Sequence, residues 1–292
     1  MTLSIPGFTT RRLRGAGDVV LNVAVGGSGS PIVLLHGFPE THVMWRHVAA
    51  DLARDHTVIC PDLRGYGASD KPVEADEHTY SKRTMAADVV AVAAGLGFDR
   101  FALAGHDRGA LVAVRAGLDH PDAVTHLASL DVLPTLDMWD ILRGADAKVA
   151  WHLYLMAQPP GVAEPMIAGA PDAFFASFLD GWTSAPEAIP AEYRTEYLRA
   201  SREAIPSIVA DYRASAGIDL AHDREDRAAG VRLTMPTLVI QQDWGAELGY
   251  DAQALWSAWS DDLVHRTLHA GHFMAEESPE RISAELRELV AR

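Results

Sequence analysis

The sequence predicts an α/β fold: a mostly parallel central sheet flanked by helices, with a helical cap inserted between two core strands. Three observations predict it. Short continuous apolar runs alternate with amphipathic stretches at helical spacing, the pattern left by strands buried on both faces. The alternation stops over residues 134–219, which carry no convincing strand and are rich in Trp, Tyr, Phe, Met and Pro. It resumes over the remaining residues.

Taken in order, strands are expected at 19–25 (VVLNVAV), 31–37 (PIVLLHG), 56–62 (HTVICPD), 100–106 (RFALAGH), 125–133 (THLASLDVL), 236–242 (PTLVIQQ) and 263–268 (LVHRTL). Helical patterns lie at 43–54, 81–96, 108–119, 246–259 and 278–291, with His120-Pro121 and Ser278-Pro279 marking boundaries as proline does. Within the insertion, helical periods run over 138–157, 171–180 and 188–214. The expected division is therefore a core of 1–133 and 220–292 carrying a cap of 134–219. An insertion between strands of a parallel sheet sits over their carboxyl ends, where open α/β sheets bind ligands.

The chain has 292 residues, 48% of them hydrophobic, enough for a substantial core. Its net charge of −15, with no basic run, argues against nucleic acid and anionic membranes as partners and says little about a small-molecule substrate, which is the partner expected on other grounds. The first residues lack the apolar segment of a signal peptide, and no apolar run reaches the length of a membrane span. Cys60 is the single cysteine, so no internal disulfide forms, and a cytoplasmic location is expected.

Residues 101–115 read FALAGHDRGALVAVR. A strand, then Gly105-His106-Asp107-Arg108-Gly109, then a helix matches a nucleophile elbow with aspartate at its tip. The plain alternative is a loop in which Asp107 caps the helix. Two neighbours weigh against it. His36-Gly37-Phe38-Pro39 follows the strand at 31–37, so the Phe38 and Arg108 N–H groups could converge on one developing oxyanion. His272, after the last strand, stands where a base would close the chain order nucleophile, acid, histidine.

LLHGFPETHVMW, PDLRGYGASDKP, YSKRTMAADV, GHDRGA and LDHPDAVTHLASLDVLPTLDMW together resemble the α/β-hydrolase superfamily, in its aspartate-nucleophile branch of fluoroacetate and haloacetate dehalogenases and related epoxide hydrolases. The resemblance covers nearly the whole length. It implies the α/β-hydrolase fold and hydrolysis at saturated carbon: an ionised carboxylate attacks directly and forms an alkyl ester, which water then hydrolyses. Asp107 would be the nucleophile, His272 the base, and Phe38 and Arg108 the oxyanion hole. Asp131 matches the dehalogenase relatives as triad acid; Asp243, after the next strand, is the second candidate. His152 and Tyr212 match the cap donors to the leaving group, with Arg108 as a further substrate contact. The family's tryptophan after that histidine is Leu153 here. Trp151 stands on the other side of His152, roughly 200° around a helix from position 153, a poor substitute kept among the candidates.

Leu111 replaces a second arginine that holds the carboxylate of haloacetates in the family, which favours a neutral epoxide over a haloacid. Epoxide hydrolysis is the preferred reading, haloacid dehalogenation the alternative, and a non-catalytic small-molecule receptor the third. No cofactor or metal is expected, since His36, His42, His106 and His120 are too scattered to form a cluster. The sequence carries no signal for oligomeric state; homodimers are common in the branch.

Overall fold

The structure is a computed structural model, and it describes residues 3–73 and 76–292. Eight strands form one sheet: β1 (Thr9–Arg14), β2 (Val20–Gly27), β3 (Ser30–Leu35), β4 (His56–Pro61), β5 (Phe101–His106), β6 (Val124–Leu130), β7 (Thr237–Gln241) and β8 (Leu263–Thr267), in the order β1-β2-β4-β3-β5-β6-β7-β8. The pairs β1–β2 and β2–β4 are antiparallel and the rest parallel.

Seven strands fall on the expected runs. β1 was not expected, because TTRRLR has no apolar signal: it is an almost wholly exposed edge strand. Its arginines suit that place, since charge on an edge discourages pairing with another chain.

Alternate residues of each parallel strand feed two separate cores. Val33, Leu35, Leu103 and Val239 face one layer with the helices α2 (Lys82–Gly95) and α3 (Arg108–Asp119). Ile32, Leu34, Ala104 and Ile240 face the other, with α1 (Arg46–Leu52) and the C-terminal helix Pro279–Val290. That period of two is the pleat made visible, and it explains why the strands read as continuous apolar runs. Cys60 lies in the second core, where burial pushes its thiol pKa far up.

Several expected helices are interrupted by recognisable breaks. The stretch 246–259 becomes Trp244–Leu248 and Ala252–Ser257, because Gly249 takes φ +72° and Asp251 caps the second piece. The stretch 188–214 becomes Ala191–Glu203 and Ile205–Ala216, with Pro206 opening the second. The stretch 138–157 resolves into Thr135–Ile141, a 3-10 turn at Gly144–Lys148 and Trp151–Met156. Three helices were missed, Ala163–Ala168, Ile218–Ala229 and the short Met274–Glu277, and Ile218–Ala229 runs across the expected division at 219/220. Phe175, Phe178, Ile208 and Val209 of this helical segment join the first core, so segment and sheet share apolar contacts.

Candidate active site

The site is assembled at the carboxyl ends of β3, β5, β6 and β8. β5 runs into α3 through Asp107, which is forced to φ +48°, ψ −116°. A side chain at Gly105 would meet the Gly109 carbonyl oxygen at 2.2 Å, and one at Gly109 would meet the His36 carbonyl oxygen at 2.4 Å. Strand and helix therefore approach as only glycine permits. A strained non-glycine residue held this way marks a functional position more often than a structural one. Asp107 makes no side-chain capping bond to α3, so the cap reading of the loop fails.

The Asp107 carboxylate instead accepts the Phe38 N–H at Oδ1, 2.8 Å. Arg108 opens α3, so its own N–H is among the donors a helix leaves unpaired at its start. These are the two amides the sequence offered for one oxyanion. Oδ2 lies 3.8 Å from His272 Nε2, too far for a hydrogen bond.

His272 Nδ1–H donates to Asp131 Oδ2 at 2.7 Å, which leaves Nε2 as a buried nitrogen without a hydrogen-bond partner among the described residues. Asp131 sits at φ +52°. Burial works against its charge, but His272 and Gln242 as donors hold its pKa below the usual carboxylate range. Asp243, the other candidate acid, is exposed and caps Trp244–Leu248 through Ala246 N–H at 3.3 Å. The geometry brings Asp107, His272 and Asp131 together and leaves Asp243 out.

The His272 backbone is held from two sides. Its N–H donates to the Trp182 carbonyl at 2.8 Å, and its carbonyl accepts from His106 Nε2 at 2.8 Å. His106 Nδ1 is 3.2 Å from Glu40; burial opposes the imidazolium, yet Glu40 outweighs it and raises the His106 pKa to about 9.

Above Asp107 lies a cavity of about 200 Å³ lined by both the sheet ends and the helical segment. His152 and Tyr212 both line it, with ring centroids 5.7 Å apart. Burial lowers the His152 pKa to about 3 and drives that of Tyr212 well above its ordinary value, with the Asp107 charge adding to the latter. Both are therefore neutral near pH 7. The Tyr212 hydroxyl and His152 Nδ1 have no partner in the described structure. A pair of neutral, unsatisfied groups beside a carboxylate can donate hydrogen bonds to an atom leaving a carbon under attack.

Two expectations need correction. Trp151 does not line the cavity: it is 45% exposed and stacks on Phe178 at 5.5 Å, because its position on the helix turns it outward as Leu153 turns in. The Arg108 side chain is not free for substrate either. Its Nε and Nη2 are bound to Asp211 at 2.8 and 3.0 Å, Nη2 also reaches Ser215 Oγ at 2.7 Å, and the guanidinium lies 4.1 Å over the Tyr212 ring. Among the described residues only Nη1 has no hydrogen bond, although Arg108 still borders the cavity. Leu111 and Leu153 both line it, as apolar wall.

Sequence reasoning missed Trp182, whose ring lies 5.0 Å from that of His152 and 4.9 Å from that of His272. It also missed Gln242, Trp244 and Tyr250, which line the cavity from the segment after β7. The position of Gln242 and Trp244 at the carboxyl end of a parallel strand was the available signal. Nothing in the sequence marked Trp182, which arrives through helix packing.

An α/β sheet in this order, with a strained aspartate on an elbow and an Asp–His pair facing it, defines a hydrolase-type site. The chain belongs to the alpha/beta hydrolase fold family, whose profile matches residues 30–279. It is 40% identical to the fluoroacetate dehalogenase of Burkholderia sp over 286 residues, covering 96% of this chain and 93% of that one. It is 32% identical to the soluble epoxide hydrolase of Corynebacterium sp. (strain C12) over 267 residues, covering 89% and 90%. A solved structure from Pseudomonas aeruginosa, named as a candidate epoxide hydrolase, superposes with a TM-score of 0.93 at 37% identity, covering 100% of this chain and 98% of that one. No helix among the described residues is long and apolar enough to cross a membrane.

Proposed function

We propose that this enzyme hydrolyses a neutral epoxide to a vicinal diol through an ester on Asp107, with residues 134–219 acting as a cap over a core of 1–133 and 220–292. Asp107 Oδ2 attacks one ring carbon and the carbon–oxygen bond breaks. The departing oxygen takes hydrogen bonds from Tyr212 and His152 and a proton from the phenol. His272 Nε2 then takes a proton from water, and the hydroxide adds to the ester carbonyl. The oxyanion rests on the Phe38 and Arg108 amides, then collapses, its hydroxyl proton passing to the leaving alkoxide to release the diol. The His272 imidazolium returns its proton to the Tyr212 phenolate through solvent, and Asp107 keeps one oxygen from water. Asp131 holds the His272 tautomer and steadies its charged form.

The observation that carries the choice of substrate is the fate of the cations. Leu111 forms an apolar wall with Val132, and the Arg108 guanidinium is neutralised by Asp211. A small carboxylate would meet one free guanidinium nitrogen where a paired clamp is needed.

The second reading is dehalogenation of a haloacid, favoured by the 40% identity to a fluoroacetate dehalogenase and by that unengaged Nη1. One panel decides between them: small epoxides assayed for diol, and chloro-, bromo- and fluoroacetate assayed for halide. Diol formation with negligible halide is expected. Rapid turnover of fluoroacetate would reverse the order.

A further inference from the structure

Three consecutive residues, 242–244, follow the end of β7 and serve two different tasks. Asp243 faces solvent as a helix cap. Its two neighbours turn to Asp131. Gln242 donates its backbone N–H to Oδ1 at 2.9 Å and its Nε2–H to Oδ2 at 2.8 Å, and Trp244 donates its indole N–H to Oδ1 at 3.1 Å. With His272 Nδ1 at 2.7 Å from Oδ2, the carboxylate accepts four hydrogen bonds. A carboxylate offers about four lone-pair sites, so Asp131 is saturated.

Saturation has a consequence for the base. An Asp131 held only by His272 would concentrate its charge on that imidazole and favour the imidazolium, which cannot take a proton from water. Three other donors share the charge, and Oδ2 is divided between His272 Nδ1 and Gln242 Nε2. They also fix the carboxylate plane at a backbone position of φ +52°. We propose that Gln242 and Trp244 are positioning residues for the base, which keep His272 aligned and draw off Asp131 charge that would otherwise favour its imidazolium. This rests on the hydrolase reading above. The charged and titratable groups facing His272 are Asp107 at 3.8 Å, Asp131 at 2.7 Å and the His106 ring at 4.5 Å, with His152 further off. From the helical segment its nearest ring is the uncharged Trp182. Gln242 and Trp244 are the neutral groups able to tune the pair without adding charge.

The test uses the full chain labelled with 15N-histidine, with the His272 signal assigned by its loss in His272→Asn. The titration midpoint of His272 is followed in the parent, in Gln242→Leu and in Trp244→Phe, two variants on different donors should one fold poorly. The midpoint is expected to move upward in both variants. With styrene oxide as probe, hydrolysis of the Asp107 ester near pH 7 should slow by about tenfold in Gln242→Leu, the scale of one hydrogen bond to a charged group, while its formation is unchanged. An unmoved or lowered midpoint in both variants overturns the proposal, as does an equal loss in ester formation and hydrolysis. The titration needs no turnover. A parent enzyme that forms no ester on any substrate would therefore sink the hydrolase reading and leave the titration to decide this one.

Discussion

Arg108 and Asp211 form a buried ion pair that joins the elbow to the helical segment, with Nε 2.8 Å from Oδ2. Asp211 also accepts from the Lys82 ammonium and from the Tyr66 hydroxyl at 2.6 Å, and it is fully buried. Asp211 and Asp219, which lies 3.4 Å from the Lys82 ammonium, thus balance two cations beside Asp107.

Replacing Asp211 by Asn would leave Arg108 buried without its counter-charge, while Lys82 keeps Asp219 at 3.4 Å. Breaking a buried pair from one side costs about 3–5 kcal/mol. Chemical denaturation should show a loss of that size with an unchanged slope against denaturant. A loss below about 1 kcal/mol, the scale of a surface pair, would refute the role given to the pair.

His272→Asn should separate the two halves of the reaction. Ester formation needs no base and survives; hydrolysis falls by about 10²–10⁴, the usual contribution of a general base. Intact-protein mass spectrometry should find the added mass of the epoxide on Asp107, stable for far longer than in the parent.

Tyr212→Phe should do the reverse. Without the phenol proton the departing oxygen leaves as a poorly stabilised alkoxide, and ester formation slows by about 10²–10⁴. Ester hydrolysis stays near the parent rate, as rapid-quench kinetics would reveal. Because burial lowers the His152 pKa to about 3, no change in His152 charge should appear in the rate profile between pH 5 and 9.

Leu111→Arg tests the proposed preference for a neutral epoxide over a carboxylate. Leu111 packs against Val132 at the cavity wall, so the variant sacrifices some apolar contact. It adds a hydrogen-bonded charge of about 1.5–3 kcal/mol. KM for chloroacetate should drop by about tenfold or more, while the epoxide gains nothing.

Acid stability follows from Asp62. Burial raises its pKa, but His42, through charge and a 2.8 Å hydrogen bond, carries the balance well below the ordinary carboxylate value. A lowered folded-state pKa contributes stability that is present above the unfolded value of about 4 and fades as pH falls through the folded one. The gap in melting temperature between the parent and Asp62→Asn should shrink as pH falls below about 4, and shrink again as pH rises through the raised pKa of His42. A gap independent of pH would contradict this.

The candidate site residues were legible because the elbow imposes constraints along the chain itself. Gly105 and Gly109 bracket Asp107 since the backbone leaves no room for a Cβ, and such a requirement shows in sequence. The parallel strands were equally plain, being apolar throughout. What stayed hidden depends on contacts between distant segments. Arg108 looked like a substrate ligand because Asp211 lies 103 residues away. Trp182 reaches His272 only after the helices pack. β1 escaped notice because an exposed edge strand has no apolar face to announce it.

Cys60 gives the chain an unusual cleanliness toward electrophiles. Epoxides and haloacids alkylate accessible thiolates, yet this sulfur is walled in beneath the sheet and held as the thiol. The usual bystander in such experiments is thereby silenced. A label retained on the intact protein would therefore not be a cysteine adduct.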